Sequence, residues 1–256
     1  MKKILCLFFA IYIFSLSVNA SSAVSWYCQR NSEHKQPPLG ADIRPLEEYD
    51  LYWCDKKHTE YDSDEKVIYL TFDAGYENGN VERILNVLKE ENVTAAFFVL
   101  SNLILSNEDL VRRMIEDGHI VANHTSKHKD ITKYSSKEQL RSDLETIEQL
   151  YFDTYRVEMA KYFRPPEGKL SKTSLSWVKE LGYKTVMWSF AYADWDNNNQ
   201  PKREEALKKI YDNIHNGSVI LLHPTSSTNA DILQEVITKL KKDGFRFGTL
   251  DELCND

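Results

Sequence analysis

An α/β barrel is the fold class that this 256-residue sequence predicts. Three observations predict it. Short, nearly pure apolar runs read as strands buried on both faces, amphipathic helical runs separate them, and the alternation continues for about 190 residues without a long linker. A doubly wound open sheet is the alternative arrangement of the same elements.

The elements follow in order. Val67–Phe72 is a short apolar strand, and Val81–Glu91 is a helix with Val81, Ile84, Leu85 and Leu88 on one face. Val93–Leu100, rich in Val and Phe, is a second strand. Leu110–Asp117 is a helix ended by Gly118, His119–Ala122 a strand, and Ser136–Tyr151 a helix opened by serine. The pattern then repeats. Tyr162–Arg164 is extended, as residues before proline prefer to be, and Leu170–Leu181 is a helix stopped at Gly182. Thr185–Phe190 is a strand, Arg203–Ile214 a helix, Ser218–Leu222 a strand, Ala230–Lys242 a helix and Phe245–Phe247 a last strand. The count is about seven βα units.

Two segments precede them. Lys2 and Lys3 lead an apolar run from Ile4 to Val18, followed by Val18-Asn19-Ala20, which reads as a secretory signal peptide over residues 1–20 cleaved after Ala20. A retained anchor is the competing reading, but the run is shorter than the roughly 20 residues that span a bilayer. No stable membrane insertion is therefore expected after cleavage, and the protein is expected to be exported: secreted, or associated with the cell wall or spore cortex. Residues 21–65, with Gln36-Pro37-Pro38, read as an irregular extension packed on a domain covering 66–256.

Composition narrows the function. Thirty-two basic against 39 acidic side chains give −7, and loss of two lysines with the signal makes it −9, which excludes a nucleic-acid-binding surface. Hydrophobic content of 42% is too high for a disordered chain. Four cysteines exclude a dense disulfide scaffold. After signal removal Cys28, Cys54 and Cys254 remain, and both a Cys28–Cys54 bridge and three structural thiols are compatible with an exported chain.

In a barrel, chemistry sits at the C-terminal ends of the strands. Those ends read Thr71-Phe72-Asp73-Ala74-Gly75, Asn123-His124-Thr125-Ser126-Lys127-His128, Arg164-Pro165-Pro166-Glu167-Gly168, Asp194-Trp195 after the Trp188 strand, and Leu221-Leu222-His223. On a helical turn, His124 and His128 would present both imidazoles on one face, as two-histidine metal sites do. Individually each group has an ordinary reading. Asp73 would suit a helix cap, Arg164 a salt bridge, His223 the core and Trp195 the core. Their joint occurrence on one rim favours a catalytic site.

Together these segments resemble the polysaccharide deacetylase family, the carbohydrate esterases of family 4 that carry a NodB homology domain. The resemblance runs from about Val67 to Leu253, with all five family motifs in order, and implies a distorted (β/α) barrel. The run Phe72-Asp73-Ala74-Gly75-Tyr76-Glu77-Asn78-Gly79, the run Trp188-Ser189-Phe190-Ala191 and the pattern Trp26…Gln36-Pro37-Pro38 resemble the branch that deacetylates muramic acid in spore cortex peptidoglycan and gives muramic-δ-lactam.

The resemblance implies roles. His124 and His128 would hold a divalent ion, Zn²⁺ first. Asp73 would be the general base, ionised by Arg164, and His223 the general acid, its pKa raised by Asp194. Trp195 and Leu221 would line the sugar and acetyl pocket, and Tyr76 and Glu167 would also contact substrate. The partner would be the peptidoglycan glycan strand at muramic acid, after an amidase removes the stem peptide.

Two positions depart from the family. Ala74 stands where most members have a second Asp, the third metal ligand, so the ion should be weakly held. Glu167 replaces a frequent Tyr, leaving the backbone N–H that the family uses for the oxyanion but changing the side chain. Two rival readings remain: a deacetylase of N-acetylglucosamine or chitin-type glycans, and, motivated by Ala74, an inactive glycan-binding module. Retention of Asp73, Arg164, Asp194 and His223 speaks against the latter.

Overall fold

The computed structural model describes residues 22–29 and 32–255. The expected signal peptide lies outside the described residues, and none of the described helices is long and apolar enough to cross a membrane.

The sequence alternation becomes a curled sheet of eight parallel strands, so the α/β barrel expectation holds. The barrel strands are β3 (Lys66–Ala74), β4 (Ala96–Val99), β5 (Ile120–Asn123), β6 (Ala160–Phe163), β8 (Lys184–Val186), β9 (Ser218–Leu222) and β10 (Phe245–Phe247). The order is β10-β3-β4-β5-β6-β8, with β9 also on β3 through five residue pairs from Ile68/Ser218 to Phe72/Leu222. The chain beyond β8 returns to β9 through a bridge between Phe190 and Ile220, with Leu221 N–H donating to Phe190 O at 2.9 Å. A second irregularity of the sheet is a register shift between Ala122 and Asn123, where β5 meets β6.

Burial explains the strands. All five residues of β9 and most of β3 are buried, as expected for a parallel sheet covered on both faces. Phe72 and Phe97 stack at 5.0 Å in the larger core cluster. The helices are α1 (Val81–Glu90), α2 (Ser101–Ser106), α3 (Glu108–Glu116), α4 (Lys137–Tyr155), α5 (Lys172–Glu180), α6 (Arg203–Asn213), α7 (Ser227–Lys242) and α8 (Leu250–Cys254). α1 buries Val81, Ile84, Leu85 and Leu88, the stripe that periodicity predicts. The short α2 and α8 carry too few turns to show a period and were not expected.

The extension is less irregular than expected. β1 (Val24–Ser25) pairs antiparallel with β7 (Lys169–Leu170), and β2 (Leu51–Tyr52) adds a parallel edge strand beside β8. Two residues of either strand are too short to read as a pattern. Gln36, from the Gln-Pro-Pro run, donates through Nε2 to the carbonyls of Asp55, His58 and Asn216 at 2.6, 3.1 and 3.2 Å, fastening the extension beneath β9. Cys54 and Cys254 are buried and Cys28 is half-buried.

Gly217 marks the junction. Its φ is +75°, and a Cβ would lie 2.6 Å from Asp55 O and 2.8 Å from His58 O. Gly217→Ala is expected to lower the unfolding free energy by about 2 kcal/mol or more, measured by denaturant titration, because it adds a strained backbone to a clash with backbone. An unchanged midpoint would contradict this packing.

Candidate active site

Asp73 ends β3 at the rim, and Arg164 follows β6. The Arg164 side chain is fully buried and donates from Nη1 to Asp73 Oδ1 at 2.9 Å. Its other donors go to main chain: Nε to Val186 O at 2.9 Å and Nη2 to Met187 O at 3.0 Å. The guanidinium also lies 4.2 Å from the Phe98 ring centroid. A buried cation so completely satisfied is a fixed counter-charge. Burial alone would push the Asp73 carboxyl up, but His124, Arg164 and His223 together hold it below the ordinary carboxylate range, so it is ionised at neutral pH.

His124 and His128 follow β5 on a loop, not on the helical turn their spacing suggested. Thr125 and His128 have φ of +71° and +56°, and these two left-handed residues bring the rings to 5.0 Å between centroids. Asn123 fixes the start of the loop, accepting from Thr125 N at 2.9 Å and donating to Leu144 O and Tyr183 Oη. His124 is buried. Its Nδ1 donates to Arg164 O at 2.7 Å, which sets the tautomer and leaves Nε2 free, 3.5 Å from Asp73 Oδ2. Burial pushes its pKa down to about 4, so the ring is neutral, the form that ligates metal.

Those features fit the two-histidine part of a metal site. They go no further: Ala74 is buried with no donor, and no three His, Cys, Asp or Glu side chains among the described residues are grouped to hold an ion.

Across the cavity stands a second pair. His223 Nδ1 donates to Asp194 Oδ1 at 2.7 Å, and His223 N–H donates to Asp194 Oδ2 at 2.9 Å. Asn229, fully buried near the start of α7, donates from Nδ2 to the same Oδ2 at 2.6 Å and accepts from Tyr192 Oη. The tyrosine hydroxyl thereby orients the amide so that its NH₂ faces Asp194. Burial would lower the His223 pKa. The hydrogen bond and charge of Asp194, with help from Asp73, outweigh burial and raise it.

These groups border one cavity of about 610 Å³. Asp73, His124, His128, Glu167, Tyr76, Trp195, Leu221 and His223 line it, so eight of the ten residues singled out in the sequence meet there. Arg164 and Asp194 stand behind Asp73 and His223. Trp195 is 60% exposed with its ring 6.1 Å from that of His223, and Tyr76 is 43% exposed. The two form an aromatic lip, tied by a 2.5 Å hydrogen bond from Asn197 Nδ2 to Tyr76 Oη. Glu167, with φ of +57°, pairs with Lys169 at 2.6 Å.

The sequence reading missed several contributors. Trp188, Tyr192, Gly168 and Thr225 also line the cavity. Glu77 and Asn78 organise the loop after β3. The Glu77 carboxylate accepts from Gly79 and Val81 N–H and so caps α1, while Asn78 Nδ2 donates to Thr225 O at 2.8 Å. A carboxylate four residues ahead of a helical stripe was the available signal for Glu77. Nothing local marks Asn229 or Tyr192, since their roles require β9 and α7 to be in place.

The chain is similar to known proteins over most of its length. The family model for polysaccharide deacetylases matches residues 60–186. The peptidoglycan-N-acetylmuramic acid deacetylase PdaA of Bacillus subtilis is 36% identical over 231 residues, 90% of this chain and 85% of that protein. Its solved structure, described as that of a family 4 carbohydrate esterase, superposes with a TM-score of 0.83 over 90% of this chain and 96% of that one. The peptidoglycan-N-acetylglucosamine deacetylase PgdA of Listeria monocytogenes is 34% identical over 191 residues, 75% of this chain but 39% of that protein. By sequence, by fold and over nearly its whole length, the chain belongs to the polysaccharide deacetylase family of carbohydrate esterases and is an enzyme of that class.

Proposed function

We propose that the protein deacetylates peptidoglycan at N-acetylmuramic acid. The observation that carries the chemistry is the pair of oppositely tuned groups facing one cavity: Asp73, its pKa held down by His124 and Arg164, and His223, its pKa held up by Asp194. The relative matching 90% of the chain, which is named for muramic acid, supports the substrate.

The chain's own residues divide the work. Asp73 takes a proton from the attacking water. As the water oxygen adds to the acetamide carbon, charge builds on the carbonyl oxygen, and the backbone N–H at Glu167 is the donor that the family resemblance assigns to it. The C–N bond then breaks, acetate leaves, and His223 delivers its Nε2 proton to the departing amine. Trp195 and Tyr76 provide aromatic faces for the sugar, and Leu221 an apolar wall for the methyl group. A divalent ion held by His124 and His128, Zn²⁺ being the first candidate, would polarise the carbonyl and acidify the water, weakly retained because Ala74 offers no third ligand. Exhaustive chelation is accordingly expected to cut acetate release about tenfold or more, with recovery on adding zinc; activity that survives chelation would remove the ion from the reading.

The freed amine at C2 lies next to the O3 lactyl group. Its attack on the lactyl carboxyl carbon, with loss of water, closes a six-membered lactam, and a site holding both groups makes closure effectively unimolecular. Prior removal of the stem peptide by an amidase supplies that free carboxyl. In this reading the protein is exported and works on the wall or spore cortex.

Mass spectrometry of products from intact and amidase-treated peptidoglycan tests the proposal. Acetyl loss and lactam at muramic acid are expected. Acetyl loss only from N-acetylglucosamine, which the Listeria relative favours, or only from chitin oligomers, would replace it. No acetate from any glycan would leave the glycan-binding module.

A further inference from the structure

The residues ahead of the barrel reach the cavity from behind. β1 pairs with β7, Val24 opposite Leu170 and Ser25 opposite Lys169. Trp26 N–H donates to Gly168 O at 2.8 Å, and its indole Nε1–H donates to Trp188 O at 2.9 Å. Cys28 Sγ–H donates to the same Trp188 oxygen at 2.8 Å. Trp26 is 6% exposed, and its ring meets that of Trp188 edge-on at 6.5 Å between centroids.

Both partners of Trp26 line the catalytic cavity. Gly168 has φ of +62°, and a Cβ there would lie 2.9 Å from the Trp188 ring and 3.1 Å from Trp26 Cβ, so the three residues leave no space between them. Glu167 is also left-handed, at φ +57°. Two successive left-handed residues, one of them not glycine, persist only where surrounding contacts enforce them. From the inside, Arg164 holds the Val186 and Met187 carbonyls; from the outside, the extension holds the next one, Trp188. The wall of the cavity is thus clamped from two sides, and the outer clamp lies outside the barrel.

We propose that Trp26 is a positioning residue for deacetylation, holding the Glu167–Gly168 turn and Trp188 where the acetylated sugar docks. The extension is in this sense part of the active site as well as part of the fold. The assignment of substrate rests on the functional reading above, but the clamp can be measured without it. A displacement of about 1 Å at such a turn is enough to cost up to a hundredfold in rate.

The test uses the full chain with Trp26→Ala, Trp26→Phe and, as a control on the same segment, Tyr27→Ala, whose exposed hydroxyl donates to Asp42. Hydrogen exchange by mass spectrometry and steady-state kinetics on amidase-treated peptidoglycan are read together. Trp26→Ala is expected to speed exchange in residues 165–170 and 186–190 while β9 and α7 stay protected, and to raise KM about tenfold with a smaller fall in kcat. Trp26→Phe, which keeps a ring and loses the indole donor, should fall between it and wild type, and Tyr27→Ala should match wild type. If the wild type releases no acetate from this substrate, the functional reading fails, and the exchange pattern still decides the clamp. Folded Trp26→Ala with wild-type exchange in both segments, or with KM unchanged on an active substrate, would overturn the proposal.

Discussion

Asp73→Asn is expected to lower kcat for acetate release by about 10²–10⁴-fold, the range for loss of a positioned general base. The amide matches the carboxylate in shape but cannot take the proton from water. The same change removes the counter-charge of a guanidinium with no solvent access, since the Arg164 side chain is 0% exposed. Breaking one side of a buried ion pair costs about 3–5 kcal/mol. Here the lower end is expected, because Arg164 keeps its bonds to the Val186 and Met187 carbonyls and its contact with the Phe98 ring. Kinetics on the folded variant, with a denaturant curve beside them, separate the two effects. A folded Asp73→Asn enzyme with near wild-type kcat would end the assignment of Asp73 as base.

Asp194→Asn tests the other half of the cavity and is read through pH. His223 must be protonated to act as acid, so the rate falls as pH rises through its pKa. In the wild type that pKa is raised: burial lowers it, but the Asp194 hydrogen bond and charge, then Asp73, raise it more, against a small opposing effect of Arg164. Removing the Asp194 charge leaves burial in command, so the alkaline limb of kcat/KM should move to lower pH, with a fall of about 10²–10³-fold at neutral pH. The acid limb, set by Asp73 below the ordinary carboxylate range, should stay in place. An alkaline limb that does not move would detach His223 from the proton transfer. His223→Ala should remove the limb altogether.

Much of this site was legible as residue types at predicted strand ends. Asp73, His124, Arg164 and His223 each follow an apolar run, and strand ends of a parallel barrel converge on one face. The pairings were legible only through resemblance to a family, because Asp73 and Arg164 are 91 residues apart and His223 and Asp194 are 29 apart. His124 and His128 show the limit of local spacing. A four-residue interval suggested a helical face, whereas Thr125 and His128 in left-handed conformations do the work on a loop. The loop begins at Asn123, which accepts from Thr125 N–H and is itself held by α4 and by Tyr183.

The extension divides the same way. Its prolines and scattered aromatics identified it as separate from the barrel alternation. That two of its residues would become an edge strand, and that Trp26 would stand behind Gly168 and Trp188, depended on contacts more than 130 residues away in sequence.

By itself, then, the sequence determined the βα alternation, the burial of the strands and the identity of the groups at their ends. These are set by hydrophobic period and by turn chemistry within a few residues. The tertiary structure decided which carboxylate meets which cation, which imidazole has its pKa lowered and which has it raised, and what closes the wall of the cavity. Electrostatic and hydrogen-bond energies depend on distances and desolvation among residues far apart in the chain, and those exist only once the barrel has closed.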